Sequence, residues 1–157
     1  MFICCIVNEI KNILPDEYYM REALKEAVYA LEKDEVPIGA VIVSLGKIIA
    51  RGHNQVELLK DVTAHAEMIA ITSAANHFGS KYLTDCTLYV TLEPCMMCAT
   101  AIGWAQIPRL VYGAGDKKKG FTLISKKVLH PKCEVVNGLL SDECSQLIKE
   151  FFRKKRK

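Results

Sequence analysis

No apolar run in this chain approaches the about 20 residues that a bilayer-spanning helix requires. Met1 to Val7 is apolar, but it is short and lacks the basic flank of a secretory signal. Internal repeats and low-complexity tracts are missing. With 5 prolines and 9 glycines among 157 residues, no stretch reads as an interdomain linker. The 7 cysteines form an odd set without the regular spacing of a disulfide framework, which points to a reducing compartment. These absences lead to the expectation of one cytoplasmic domain that makes no membrane contact, with lipidation at Cys4 or Cys5 as the alternative for the N-terminus. Excess charge is scarce too. The formal net charge is +3, and Arg153-Lys154-Lys155-Arg156-Lys157 alone exceeds it, leaving the body slightly acidic. A solvated basic end is the plain reading of that run, and an anionic partner such as RNA is the sharper one.

What is present is apolar mass, 50% of the residues, enough for the core of one domain. Residues 1 to 14 read as a poorly determined lead and residues 15 to 157 as the domain. Asp16-Glu17 after Pro15 starts a helix on which Met20, Ala23, Leu24, Ala27, Val28 and Leu31 recur at helical spacing. Ile38 to Ser44 and Lys47 to Arg51 flank Leu45-Gly46 as a hairpin, and a loop follows to Thr63. Ala64 to about Asn76 is helical in period. Cys86 to Leu92, Leu110 to Tyr112 and Glu134 to Val136 read as strands, Cys95 to Ala105 as a helix, and Ser141 to Arg153 as a final helix capped by Ser141-Asp142-Glu143. A hairpin followed by strand-helix alternation predicts a three-layer α/β/α sandwich around a central mixed five-stranded sheet.

The chemistry concentrates at two helix starts. Cys95 and Cys98 are one helical turn apart, directly after a strand, where the dipole and the free amides of the first turn favour thiolates. His65 and Glu67 stand at the start of the preceding helix, and crossovers from one sheet edge bring the two starts together. One imidazole and two thiolates make three ligands for tetrahedral zinc and leave a position for water, whose pKa zinc lowers from about 15.7 toward 7. Glu67 is then placed to move protons. A redox Cys-x-x-Cys pair would leave His65 and Glu67 without work, and a structural zinc site would normally be closed by a fourth cysteine or histidine.

The combined pattern, His65-Ala66-Glu67 followed by Pro94-Cys95-Met96-Met97-Cys98, is the zinc deaminase signature. With Glu35-Val36-Pro37-Ile38-Gly39-Ala40-Val41, Asn54, Thr91-Leu92-Glu93, Tyr112-Gly113-Ala114 before Asp116, and the ending from Asp142 through Phe151-Phe152-Arg153, residues 17 to 155 resemble the cytidine deaminase-like superfamily. The closer resemblance is to bacterial tRNA-specific adenosine deaminases, which make inosine at the anticodon wobble position. It implies a homodimer with one Zn2+ per subunit, Glu67 as the catalytic proton shuttle, and a tRNA anticodon stem-loop as partner. It further implies that Asn54, the Ala66 amide, Glu67 and Pro94 meet the flipped nucleotide, that Asp116 and Lys118 touch RNA, that Phe151 or Phe152 stacks on a neighbouring base, and that Arg153 meets phosphate. One of the two phenylalanines is expected to be buried. Ala99-Thr100-Ala101, Gln106 and Gly115 depart from the common pattern, and Trp104 resembles guanine deaminases. Deamination of free guanine, cytosine or nucleosides therefore stands as the alternative function, with a non-catalytic RNA-binding zinc module as a third.

Overall fold

In the computed structural model, which describes residues 14–157, a five-stranded sheet runs in the order β2-β1-β3-β4-β5. The strands are β1 (Gly39–Ser44), β2 (Lys47–His53), β3 (Cys86–Leu92), β4 (Arg109–Ala114) and β5 (Glu134–Asn137). β1 pairs antiparallel with β2 and β3, while β3/β4 and β4/β5 are parallel, so the sheet is mixed as expected. The lead at 1 to 14, with Cys4 and Cys5, lies outside the described residues except for Leu14. Among the described residues no helix is long and apolar enough to cross a membrane.

The helices are α1 (Asp16–Glu32), the short α2 (Val56–Leu59), α3 (Ala66–Phe78), α4 (Met96–Trp104) and α5 (Ser141–Lys155). Strand parity divides the core in two. Ala40, Ile42, Leu88, Val90, Leu110 and Tyr112 pack with Ala66, Ala70 and Ala74 of α3 and with Ala99 and Ile102 of α4. Val41, Val43, Tyr89 and Val111 face the other way, onto Tyr19, Met20 and Ala23 of α1 and Cys144 of α5. The start of α1 is tied to the sheet by Arg109, which grips both Asp16 oxygens at 2.8 Å, and by Tyr89, whose hydroxyl donates to the same carboxylate at 2.6 Å.

Two local expectations are corrected. Ser141 does not cap α5: Leu140 occupies the cap position at φ 53°, and Ser141 is the first helical residue. Leu139 and Leu140 are drawn against the α1/α5 core, and that apolar packing outweighs a hydroxyl cap. The stretch read as loop from Gly52 to Thr63 contains α2. Its first amides, Glu57 N–H and Leu58 N–H, donate to the buried carboxylate of Glu35 at 3.2 and 2.7 Å, a long-range cap that no local pattern announces.

Candidate metal centre and its surroundings

α3 approaches β2 so closely that a Cβ on Gly52 would lie 2.4 Å from the Ala66 carbonyl oxygen. Only glycine permits this contact, and it sets the height of the α3 start above the sheet. His65 is the N-cap residue of α3 and Cys95 the N-cap residue of α4, both with extended ψ and neither making a side-chain cap hydrogen bond. Their side chains are thereby free to turn toward each other. His65 Nδ1 lies 3.6 Å from Cys95 Sγ and 3.5 Å from Cys98 Sγ, and the three donor atoms all fall within 4.8 Å of one another. Bonds of about 2.0 Å to nitrogen and 2.3 Å to sulfur at a tetrahedral angle separate N and S by about 3.5 Å, so the donor set fits a zinc-sized ion.

The electrostatics follow from this crowding. A hydrogen bond from Cys98 holds the Cys95 thiol down to about 4, against the cost of burial and with help from His65. Cys98, as the donor in that pair, is pushed far up, by Cys95 first and then by burial and the Glu67 charge. The bond to Cys95 raises His65 against the cost of burial, with help from the Glu67 charge. Glu67, in the first turn of α3, is 4% exposed, and burial pushes its carboxyl up to about 7. It sits beside Cys98 without joining the three-donor cluster. A carboxyl with that affinity can both accept and release a proton near neutral pH.

Around this centre the expected contact residues are unevenly placed. Asn54 is 5% exposed, and its buried Oδ1 has no hydrogen-bond partner among the described residues. Ala66 and Pro94 are buried beside the ligands, and the Pro94 carbonyl accepts Phe121 N–H at 3.0 Å. Asp116 is half-buried and spends its Oδ1 on the amides of Lys118 and Lys119, at 2.9 and 3.0 Å, so its carboxylate shapes the lysine loop. Lys118 and Arg153 are exposed. On α5 the two phenylalanines part: Phe151 is packed inward with Lys155 Nζ over its ring, while Phe152 is 44% exposed. One of the pair is therefore buried, as expected, and Phe152 is the ring left accessible. The helical stripe Cys144, Leu147, Ile148, Phe151 was the signal that could have separated the pair.

Sequence reasoning overlooked Glu35 and Glu93. Neither carboxylate has a local sequence partner that announces burial, yet they are 1% and 5% exposed; Glu35 holds the start of α2 and Glu93 the 116–122 loop beside Cys95.

Comparison with known proteins agrees with this geometry. The MafB19-like deaminase family matches residues 15–156. A tRNA-specific adenosine deaminase of Bacillus subtilis is 47% identical over 147 residues, spanning 90% of this chain and 91% of that protein. A solved structure from work on A-to-I editing by tRNA:A34 deaminases at the wobble position superposes with a TM-score of 0.78 at 45% identity, covering 83% of this chain and 98% of that one. A guanine deaminase structure from Bacillus subtilis reaches a TM-score of 0.63 at 40% identity, over 65% of this chain and 66% of its own. The sheet order, the converging helix starts and similarity along nearly the whole length place this chain in the tRNA-specific adenosine deaminase family, among the MafB19-like deaminases.

Proposed function

We propose that this protein is a zinc-dependent deaminase that converts adenosine 34 in a tRNA anticodon loop to inosine. The zinc chemistry is supported by the spacing of His65 Nδ1, Cys95 Sγ and Cys98 Sγ beside a buried carboxyl that is not one of the donors, and the tRNA substrate by the likeness along nearly the whole chain to tRNA-specific adenosine deaminases. One Zn2+ per subunit held by those three residues would supply a Lewis acid that makes water nucleophilic at neutral pH. Glu67 takes a proton from the water that attacks C6 and places it on N1. It then passes the second proton to the departing amine, so that adenosine and water become inosine and ammonia. The raised affinity of the buried Glu67 suits this two-way traffic.

The other residues hold the nucleotide. The unpartnered Asn54 Oδ1 accepts a hydrogen bond from the flipped nucleotide, the Ala66 amide at the start of α3 donates to the purine, and Pro94 walls the pocket. Phe152 stacks on a base beside the target while Phe151 anchors α5. Lys118 and Arg153 meet phosphate, and Asp116 shapes the loop that carries Lys118. Splaying a base out of the loop costs a few kcal/mol, which these contacts offset. Exposed Leu58, Leu59, Val62, Trp104, Leu123 and Ile124 support a homodimer that covers part of this apolar surface. The described cysteines are all free, which suits the cytoplasm.

Incubating the purified protein with an A34 anticodon stem-loop and, separately, with free guanine, cytosine and cytidine tests the assignment. Inosine should form in the stem-loop while the small molecules stay intact. Rapid turnover of free guanine with an untouched stem-loop would replace the substrate and leave the zinc chemistry standing.

A further inference from the structure

Glu93 takes no part in the donor cluster or the proton transfers, yet it is buried two residues before Cys95. No lysine, arginine or histidine pairs with it among the described residues. Its carboxylate instead accepts three hydrogen bonds from one segment. Asp116 N–H donates to Oε2 at 2.9 Å, and Thr122 donates to Oε1 through its amide at 3.1 Å and its hydroxyl at 2.6 Å. Between these anchors lie Lys117, Lys118 and Lys119, all exposed. Gly120 rests on the carboxylate so closely that a Cβ there would stand 2.4 Å from it. Gly120 also bridges to Cys95, and Phe121 N–H donates to the Pro94 carbonyl. One buried anion thus fastens the lysine loop to the chain segment from which Cys95 departs.

We propose that Glu93 is a positioning residue for the RNA substrate: it fixes the 116–122 loop relative to the α4 start, so that the loop's lysines grip phosphate at a set distance from the reacting base. This deepens, and rests on, the tRNA reading. A free base has no phosphate to grip and gains nothing from the tether. The requirement is for a carboxylate specifically. A glutamine of the same size has one acceptor oxygen, and its NH2 would face either the Asp116 amide or the Thr122 pair, so one anchor is lost. Gly120→Ala breaks the same joint from the loop side.

The test compares the metal-loaded wild type with Glu93→Gln, Glu93→Asp, Gly120→Ala and the Glu93→Gln/Gly120→Ala double variant. Metal stoichiometry, thermal midpoint, hydrogen exchange of the 116–122 amides, and KM and kcat on the A34 stem-loop are measured for each. Loss of one charge-assisted anchor should speed exchange in the loop and raise KM, each by about tenfold, with kcat within about threefold and metal content unchanged. The double variant should be no worse than the worse single one, and Glu93→Asp should recover part of the KM. Lys118→Ala combined with Lys119→Ala should weaken stem-loop binding in the wild type and add little in the Glu93→Gln background. Unchanged loop exchange and KM in Glu93→Gln would overturn the proposal, as would a fall in kcat that tracks metal loss. Should Glu93→Gln not fold, Gly120→Ala decides by the same measurements. A wild type inert on the stem-loop would instead sink the tRNA reading, and the exchange data would still report on the tether.

Discussion

Adjacent phenylalanines on α5 give the proposed function its sharpest mutational test, because burial assigns them different work. Phe151 is 7% exposed and Phe152 44%, and their rings meet edge to face at 5.3 Å. Phe151→Ala removes a buried ring, a change that costs about 3–5 kcal/mol in a core. The site lies near the end of a terminal helix that can settle into the gap, which favours the low end, about 3 kcal/mol. At about 2–4 °C per kcal/mol for a domain of this size, Tm should fall by roughly 6–12 °C. Phe152→Ala loses little more than the edge contact, about 0.5–1 kcal/mol, hence roughly 1–4 °C. On RNA the order reverses. Removing a stacking platform costs about 1–3 kcal/mol per base, so Phe152→Ala should lower kcat/KM on the A34 stem-loop by about five- to a hundredfold. Thermal unfolding and stem-loop kinetics at a temperature where both variants are folded separate the two effects. Wild-type efficiency of Phe152→Ala on the stem-loop would refute the stacking assignment, and equal Tm losses for both variants would refute the burial argument.

Cys98→Ala should lose bound metal, whereas Glu67→Ala should keep about one equivalent and lose turnover, as read by metal analysis beside activity; metal loss in Glu67→Ala would show that carboxyl to be a ligand. Deleting residues 153 to 157 should flatten the dependence of stem-loop affinity on salt, since fewer counterions are released, and an unchanged slope would reduce the tail to a solvated end. The Asp16 carboxyl is held below its ordinary 3.8, by the hydrogen bond from Arg109 first and against the cost of burial. A depressed native pKa contributes stability that is present above the unfolded value and lost as pH falls through the native one. Asp16→Asn should therefore lower Tm at pH 6 and converge with the wild type toward pH 2, and a constant gap across that range would contradict the linkage.

The elements easiest to read were those whose signal is local and repeated. Cys86–Leu92 is strand from end to end because an unbroken β-rich run has no helical phase to compete with it. The α3 and α4 starts were legible because two short motifs each carry chemistry that needs the other, and the fold does bring His65, Cys95 and Cys98 to one point. α2 was not legible, since four residues cannot show a period and its cap, Glu35, comes from before β1. Leu140 in place of Ser141 at the α5 cap follows from packing that is invisible until α1 and α5 share a core. Glu93 escaped notice for the same reason, its partners lying more than twenty residues downstream.

The division of the core by strand parity has a consequence for how such a protein can be retargeted. The donor residues and Glu67 belong to the α3/α4 side of the sheet, whereas α5, which carries Phe152 and the basic end, packs on the α1 side. Side chains on opposite faces of a strand do not repack against each other, so changes in α5 reach the metal centre only through a well-packed sheet. Any contacts that α5 makes to bases and phosphates beside the target can then be altered separately from the reaction, whereas the proposed contacts to the reacting nucleotide at Asn54, Ala66 and Pro94 share the face of the donor residues. Variation of α5 and of the side chains at 117 to 119, with Glu93, Gly120 and the α3/α4 face held constant, is the test of that separation.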